Sequence, residues 1–382
     1  MADLGVMALL LGLALSAYSA IGVVIGEKIG MAALVVSARR ALYMTTVTAI
    51  VASGALINAF VQNDFSIAYV ADHSNTLMDR AFVWVAFYAG NEGSLLYILL
   101  ALSVISAISV WFAPKRLARS MPWTIAILAI IQLFYFGVLT FFASPFELLD
   151  TVPLDGRGIN PLLTHPGMFS HPPLLMGGLI SITIPFAFVS GALIAGNYGD
   201  DWVDVARVSA IIGWGVLGTG MLLGAWWAYT ILGWGGYWAW DPIENVALMP
   251  WLVMTAFLHS IMVQKRRGMF RLWNVALLNI AFVLAQLGMF INRGGPVVSV
   301  HSFAASTLGA IFLSFMLASL VFAFALFLWR MPQLKSDRAM ESFVSREASF
   351  LINNFLFLAV MVVTLWGVLF PLFSDLARDV SV

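Results

Sequence analysis

Long apolar stretches recur along the whole chain, each close to 20 residues and separated by short polar breaks. Ten can be drawn, over residues 4–25, 41–61, 84–112, 121–143, 171–195, 208–229, 246–264, 272–291, 306–329 and 349–373. About 20 apolar residues in helical form cross the hydrocarbon core of a bilayer. The pattern therefore predicts an all-α fold, a polytopic membrane helical bundle of about ten transmembrane helices. No repeat of 20–50 residues interrupts it, so a single membrane domain over 1–382 is expected. Within the third stretch, Gly90, Glu92 and Gly93 are candidates to break the helix. The first stretch, Leu4 to Ile25, is longer than the apolar core of a secretory signal and has no clear cleavage site, so it is expected to stay as a helix.

Composition agrees with this class. Hydrophobic residues make up 62% of the chain and charged residues 10%, against roughly 25% charged in a soluble domain; mean hydropathy is +0.95. The charges that remain are unevenly placed. With the first residue outside, the inner segments hold 15 Lys and Arg and the outer ones hold four: Arg80, Arg157, Arg293 and Arg378. That asymmetry follows the positive-inside rule and puts both termini outside. Four sizeable segments then reach the outer face, 62–83, 144–170, 230–245 and 292–305. The short basic inner loops, such as Lys265-Arg266-Arg267, are explained by topology and contact with lipid headgroups. Net charge is zero, so nucleic acid is not an expected partner. With no cysteine in the chain, disulfides, thiolate metal sites and covalent haem on this chain are excluded.

The candidate chemistry concentrates in residues 224–252, G-A-W-W-A-Y-T-I-L-G-W-G-G-Y-W-A-W-D-P-I-E-N-V-A-L-M-P-W-L, which carry six of the 14 tryptophans. An aromatic belt at the membrane interface explains one or two tryptophans per helix end. It does not explain Trp226, Trp227, Trp234, Trp238 and Trp240 interleaved with Gly235, Gly236 and Tyr237 and followed by Asp241, Glu244 and Asn245. Glycine lets backbone approach a flat ligand, and indole faces stack on large π-systems. The segment is therefore predicted to be a ligand platform. Asp241 before Pro242 is expected to halt the incoming backbone outside helical geometry and to cap the helix that follows.

Five histidines are available as metal ligands. His171 opens the fifth stretch and His301 precedes the ninth, so both fall at the outer face and bracket the tryptophan segment in chain order. Imidazole is the common protein ligand of haem iron; two such residues could hold one haem from opposite sides. His259 lies inside the seventh stretch, eight residues after Trp251 and so roughly 12 Å deeper. An ionisable group there is a functional candidate, although a hydrogen bond to a neighbouring helix would equally account for it. His73 and His165 are expected to be surface residues of the outer loops. Arg293, among the few outer cations, joins the candidate cofactor-binding set.

These motifs together resemble the CcmF family of haem lyases, which act in cytochrome c maturation and belong to the haem-handling superfamily named for its WWD segment. Besides W-G-G-Y-W-A-W-D-P-I-E-N, the resemblance rests on N-A-F-V-Q-N-D-F-S-I-A-Y-V from Asn58, E-G-S-L-L from Glu92, D-G-R-G-I-N-P-L-L from Asp155, H-P-P-L-L from His171 and V-V-S-V-H-S-F-A from Val297. It implies that His171 and His301 ligate substrate haem brought by a haem chaperone of the CcmE type. It implies that Trp234 to Asn245 contact the porphyrin, and that His259 is one of two intramembrane histidines holding a non-covalent b-type haem. The implied function is ligation of haem to apocytochrome c at the outer face of the cytoplasmic membrane. Thiol-handling proteins of the CcmH type and quinol as reductant come with it as implied partners.

This sequence departs from the family pattern in places. Tyr237 stands where tryptophan is more usual, and Val246-Ala247 where Ala-Ser is. The family chain is usually longer, and no histidine follows His301 here. A second polypeptide supplying that ligand, a fragment of a longer chain, and a differently held or absent b-type haem are the open readings. The competing functions are a haem carrier or exporter without synthase activity, an ion-coupled transporter and a membrane scaffold. Ion coupling calls for charged residues within the helices, yet spans 121–143, 171–195, 208–229, 272–291 and 306–329 contain none.

Overall fold

The computed structural model describes residues 1–297, 299, 307–336, 342 and 344–378. Thirteen α-helices account for most of them: α1 (Ala2–Lys28), α2 (Ala32–Val61), α3 (Ala68–His73), α4 (Val83–Phe87), α5 (Asn91–Trp111), α6 (Met121–Phe141), α7 (His171–Ser181), α8 (Thr183–Ile194), α9 (Val203–Ile231), α10 (Pro242–Arg267), α11 (Arg271–Gly294), α12 (Leu308–Arg330) and α13 (Arg346–Arg378). Ten segments among the described residues are long and apolar enough to cross a bilayer. Helices are the natural outcome, because hydrocarbon offers no partner to an open backbone N–H or C=O.

Two expected boundaries are corrected. The third stretch does not run unbroken from 84. Its first turns form the separate helix α4, the chain extends at Gly90 (φ −121°, ψ −177°), and the spanning helix starts at Asn91. The phenol of Tyr69 receives the Gly90 N–H at 2.8 Å, which fixes the break. The fifth stretch is divided into α7 and α8 at Ile182. Pro185 has no N–H for the carbonyl four residues back, and the helix steps there.

Contacts between links confirm the alternation of the spans. At one end, Asp204 pairs with Arg116 at 3.2 Å and with Lys265 at 2.5 Å, Asp200 pairs with Arg271 at 2.9 Å, and Arg267 pairs with Glu347 at 2.8 Å. This is the basic face. At the other end, the links after α2 and α6 join through an antiparallel bridge between Ile67 and Leu148, and Trp227 of α9 donates to the Leu162 carbonyl at 3.0 Å. This is the tryptophan face. Between them lies an apolar core in which Phe186 stacks on Phe282 and Phe134 on Phe315, each pair at 3.9 Å. Buried polar side chains bond across helices, as Thr45 does to Gln132 at 2.6 Å and Asn274 to Gln264 at 2.7 Å. Such bonds satisfy groups that lipid cannot.

On the tryptophan face, Asp155 holds the two long links together. Its carboxylate accepts from the Thr76 N–H at 2.9 Å and the Thr76 hydroxyl at 2.8 Å. These bonds, the backbone one first, hold the Asp155 carboxyl below its ordinary range. A depressed carboxylate favours the folded link above the ordinary range, and that benefit fades as pH falls through the lowered value. Asp155→Ala is accordingly expected to speed proteolysis within residues 148–160 several-fold at neutral pH with helical content unchanged, read by timed digestion and circular dichroism. Acidification below the carboxylate range should bring the parent protein toward the same susceptibility.

Candidate functional site

The tryptophan face is organised around the junction of α7 and α9. His171 is the first residue of α7. Its Nδ1 lies 2.8 Å from the carbonyl oxygen of Gly220 on α9. A carbonyl only accepts, so Nδ1 carries the proton and Nε2 carries the lone pair, the form a metal requires. The imidazole lies nearly parallel to the Trp227 indole, 17° apart at 6.4 Å. The approach depends on Gly224, where an added Cβ would stand 2.4 Å from His171 Cε1.

His171 lines two openings. One is a cavity of about 260 Å³, walled by Tyr88, Met168, Leu175 and Trp227 with Ser94 and Arg293 also in its lining. The other is a smaller cleft bounded by Gly224, Trp238, Ile243 and Glu244. The rim of the first cavity, residues 160–173, is tied down by aromatic donors. Tyr88 donates to the Met168 carbonyl at 2.5 Å, Trp84 to Phe169 at 3.1 Å and Tyr97 to Pro173 at 3.1 Å. These tyrosines and Trp84 were not singled out in the sequence; their spacing on α4 and α5 looks like ordinary core.

The tryptophan segment forms a ledge beside this opening. Gly235 takes left-handed geometry (φ 72°), as does Trp240 (φ 60°). No atom lies within 4 Å of a Cβ built at Gly233 or Gly235, so one side of the ledge is open. Trp234 is partly exposed, its indole donating to the Gly236 carbonyl at 2.9 Å, and Trp240 is 63% exposed. Tyr237 stacks on Tyr229 at 4.3 Å. Trp226 meets His165 edge-on at 4.8 Å, and Trp227 is buried. The Trp238 indole N–H is buried and meets no acceptor among the described residues. Space over the glycines, that N–H and the Nδ1–H tautomer of His171 fit a flat aromatic ligand with a metal centre and polar edges.

Asp241 and Glu244 shape this ledge. Asp241 accepts from the Ile243 N–H at 2.8 Å, as the cap expected before Pro242. Glu244 reaches back to the N–H groups of Ala239 and Asp241 at 2.9 and 3.2 Å, closing a capping box. Asn245 donates to the Trp240 carbonyl at 2.7 Å. All three side chains are thus engaged with the loop's own backbone. Asp241 also accepts from Ser299 at 2.7 Å. His301, two residues further on, lies outside the described residues.

Other candidates fall elsewhere. His259, partly exposed on α10, donates through Nδ1 to the Thr255 carbonyl at 2.9 Å and stacks between Phe350 and Phe357 of α13, at 6.1 and 6.0 Å. No group of three metal-ligating side chains occurs among the described residues. Arg293 does not stand in an outer loop as expected. It is 1% exposed in the last turn of α11, donating to Asn91 at 3.0 Å and Ser94 at 2.7 Å. His73 and His165, expected at the surface, are half-buried. His73 Nδ1 donates to the Tyr69 carbonyl at 2.8 Å. His165 Nδ1 accepts the Gly167 N–H at 3.0 Å while Nε2 lies 3.1 Å from the Thr230 hydroxyl.

Comparison with known proteins gives a consistent picture. The model of the family described as cytochrome C assembly protein matches residues 89–295, a range that includes His171, the tryptophan segment, His259 and Arg293. The chain is 37% identical to the cytochrome c-type biogenesis protein CcmF of Pseudomonas aeruginosa, over 98% of this chain and 57% of that protein. It is 37% identical to CcmF of Escherichia coli over 96% of this chain and 57% of that one. The probable cytochrome c-type biogenesis protein NrfE of Escherichia coli is 36% identical, over 86% of this chain and 59% of that protein. Among solved structures, one described as cytochrome c heme lyase CcmF superposes with a TM-score of 0.82 at 31% identity, covering 98% of this chain and 57% of that one. The chain therefore spans a little over half the length of these relatives.

The glycine at 224 carries a direct expectation. Gly224→Ala should displace the His171 imidazole and, with it, any ligand that ring holds. Ligand-dependent absorbance of the purified protein should fall several-fold while the helical signal stays. Loss of the Asp241 cap in Asp241→Ala is expected to cost about 1 kcal/mol, measurable as a lowered midpoint of thermal unfolding.

Proposed function

Because this chain belongs to the cytochrome c assembly protein family, we propose that it holds haem at the extracytoplasmic face of the cytoplasmic membrane for thioether attachment to apocytochrome c. The charge asymmetry of the sequence supports placing the tryptophan face outside. The observation that carries the reading is His171, set beside an open aromatic ledge with its Nδ1 held by the Gly220 carbonyl.

In this reading haem is the substrate, and its vinyl groups are the acceptors of the cytochrome's thiols. Each addition forms one S–C bond and moves the thiol proton to the neighbouring vinyl carbon. His171 supplies one axial nitrogen and His301 the other. Trp234, Trp238 and Trp240 bound the porphyrin plane, and the open side over Gly233 and Gly235 admits it. The Trp238 N–H and Arg293 offer polar contacts at its edges. Holding the vinyls in register with two thiols is an entropic task, worth more here than a protein acid or base. A haem chaperone of the CcmE type would deliver the substrate, and thiol-handling proteins of the CcmH type would present the apocytochrome.

His259 is the proposed ligand of a second, b-type haem, with quinol as its electron source. Its Nε2 bears the lone pair, and Phe350 and Phe357 flank it with apolar surface.

Two variants separate the sites. His171→Ala with His301→Ala is expected to remove substrate haem from the purified protein and to abolish holocytochrome formation in a reconstituted system. Unchanged haem content overturns the ligand assignment. His259→Ala should leave that haem in place and lower only a reducible b-type spectrum. Retained haem with no covalent product in a complete system would point to a haem carrier or exporter instead.

A further inference from the structure

The basic face carries a second constellation, unrelated to the haem site. Five of its cations pair with carboxylates of the protein. Asp204 faces Arg116, Arg207 and Lys265, Asp200 faces Arg271, and Glu347 faces Arg267. Arg119 and Arg330 are arranged differently, around the turn between α8 and α9.

A Cβ built at Gly196 would lie 3.6 Å from Tyr198 Oη and 3.8 Å from Arg119 Nη2, so both atoms border that turn. Arg330 Cζ sits 5.5 Å from the centre of the Tyr198 ring and 3.5 Å from that of Trp329. Two guanidinium groups thus lie in the neighbourhood of one phenol. Among the described residues, neither has a carboxylate within ion-pair distance, and the buried Nε of Arg330 has no acceptor. The carboxylates of the same turn are directed elsewhere, Asp200 to Arg271 and Gln264, Asp201 to Asn197.

The surroundings are those of a lipid interface. Leu328 and Trp329 are each 62% exposed at the end of α12, and Val321 and Phe322 continue the exposed apolar flank along the same helix. Tryptophan beside arginine at the end of a spanning helix marks headgroup depth, and basic pockets between helices on the positive side take anionic headgroups. We propose that Arg119, Tyr198 and Arg330 form a binding site for the phosphate of an anionic phospholipid, with its acyl chains along the exposed flank of α12. The guanidinium pair supplies paired N–H donors to phosphate oxygens, and the Tyr198 hydroxyl supplies a third donor.

The test is binding of dioleoylphosphatidylglycerol and dioleoylphosphatidylcholine to the purified full chain, read by native mass spectrometry. The parent protein should prefer the anionic lipid, and Arg119→Gln with Arg330→Gln should bind it roughly tenfold more weakly. Arg119→Lys should keep most of the preference, and Arg266→Gln, a change in the last turn of α10, should keep all of it. Where the double variant fails to fold, Arg119→Gln alone decides, because Arg119 is exposed and lies in the link before α6, outside every helix. Equal binding of the two lipids by the parent, an undiminished preference in the Gln variant, or full displacement by millimolar inorganic phosphate would each overturn the site.

Discussion

The arrangement of the tryptophan face rests on how closely α7 can approach α9. At Gly178 an added Cβ would stand 2.5 Å from the Leu217 backbone, and at Gly220 one would stand 2.6 Å from the Leu175 nitrogen. Two backbones in contact at that distance leave no room for side chains between them, in the manner of small-residue packing in membranes. That contact is what brings the Gly220 carbonyl within 2.8 Å of His171 Nδ1. The histidine's tautomer is therefore a consequence of helix packing. A wider crossing would lose both the bond and the ring's alignment with Trp227.

The same physics explains why the polar groups of the ledge are spent on backbone. A loop at the edge of hydrocarbon must satisfy its own N–H and C=O groups. Asp241, Glu244 and Asn245 together take four of them over residues 239–243. This leaves the indoles and glycines to present a surface that is apolar, flat and open. Charge inside the loop serves shape, and the open surface is left to aromatic faces and glycines.

Much of this was legible in the sequence. The length and composition of the apolar stretches located all ten spans, because a bilayer imposes one length on every helix. Asp241 before Pro242 announced a capped helix start, which the Asp241 bond bears out, while the returning bond from Glu244 was not foreseen. What stayed hidden depends on contacts distant in sequence. Arg293 looked like a loop cation because it follows Asn292 at the end of a stretch, yet it is drawn inward by Asn91 and Ser94 some 200 residues earlier. The break before Asn91 was signalled by Gly90, but its cause, the Tyr69 phenol, lies 21 residues upstream. His73 and His165 are half-buried through bonds to nearby backbone, at Tyr69 and Gly167, and His165 also meets the distant Thr230 hydroxyl.

The two faces solve the problem of surface charge in opposite ways, and the contrast bears on function. At the basic face, carboxylates and cations pair across the links after α5, α8, α10 and α12, which stitches neighbouring spans where lipid headgroups compete for charge. The tryptophan face is predominantly acidic instead, with Asp64, Asp72, Asp79, Glu147, Asp150 and Asp155 in segments 62–83 and 144–170, and Arg293 is buried beneath it. Helices α9, α12 and α13 are the least enclosed, with 22%, 28% and 17% of their apolar windows buried, and α9 and α13 border α10, which carries His259 and opens at the ledge. A deep, charge-lined channel would suit a hydrated ion, and stretches 121–143, 171–195, 208–229, 272–291 and 306–329 offer no charged residue to line one.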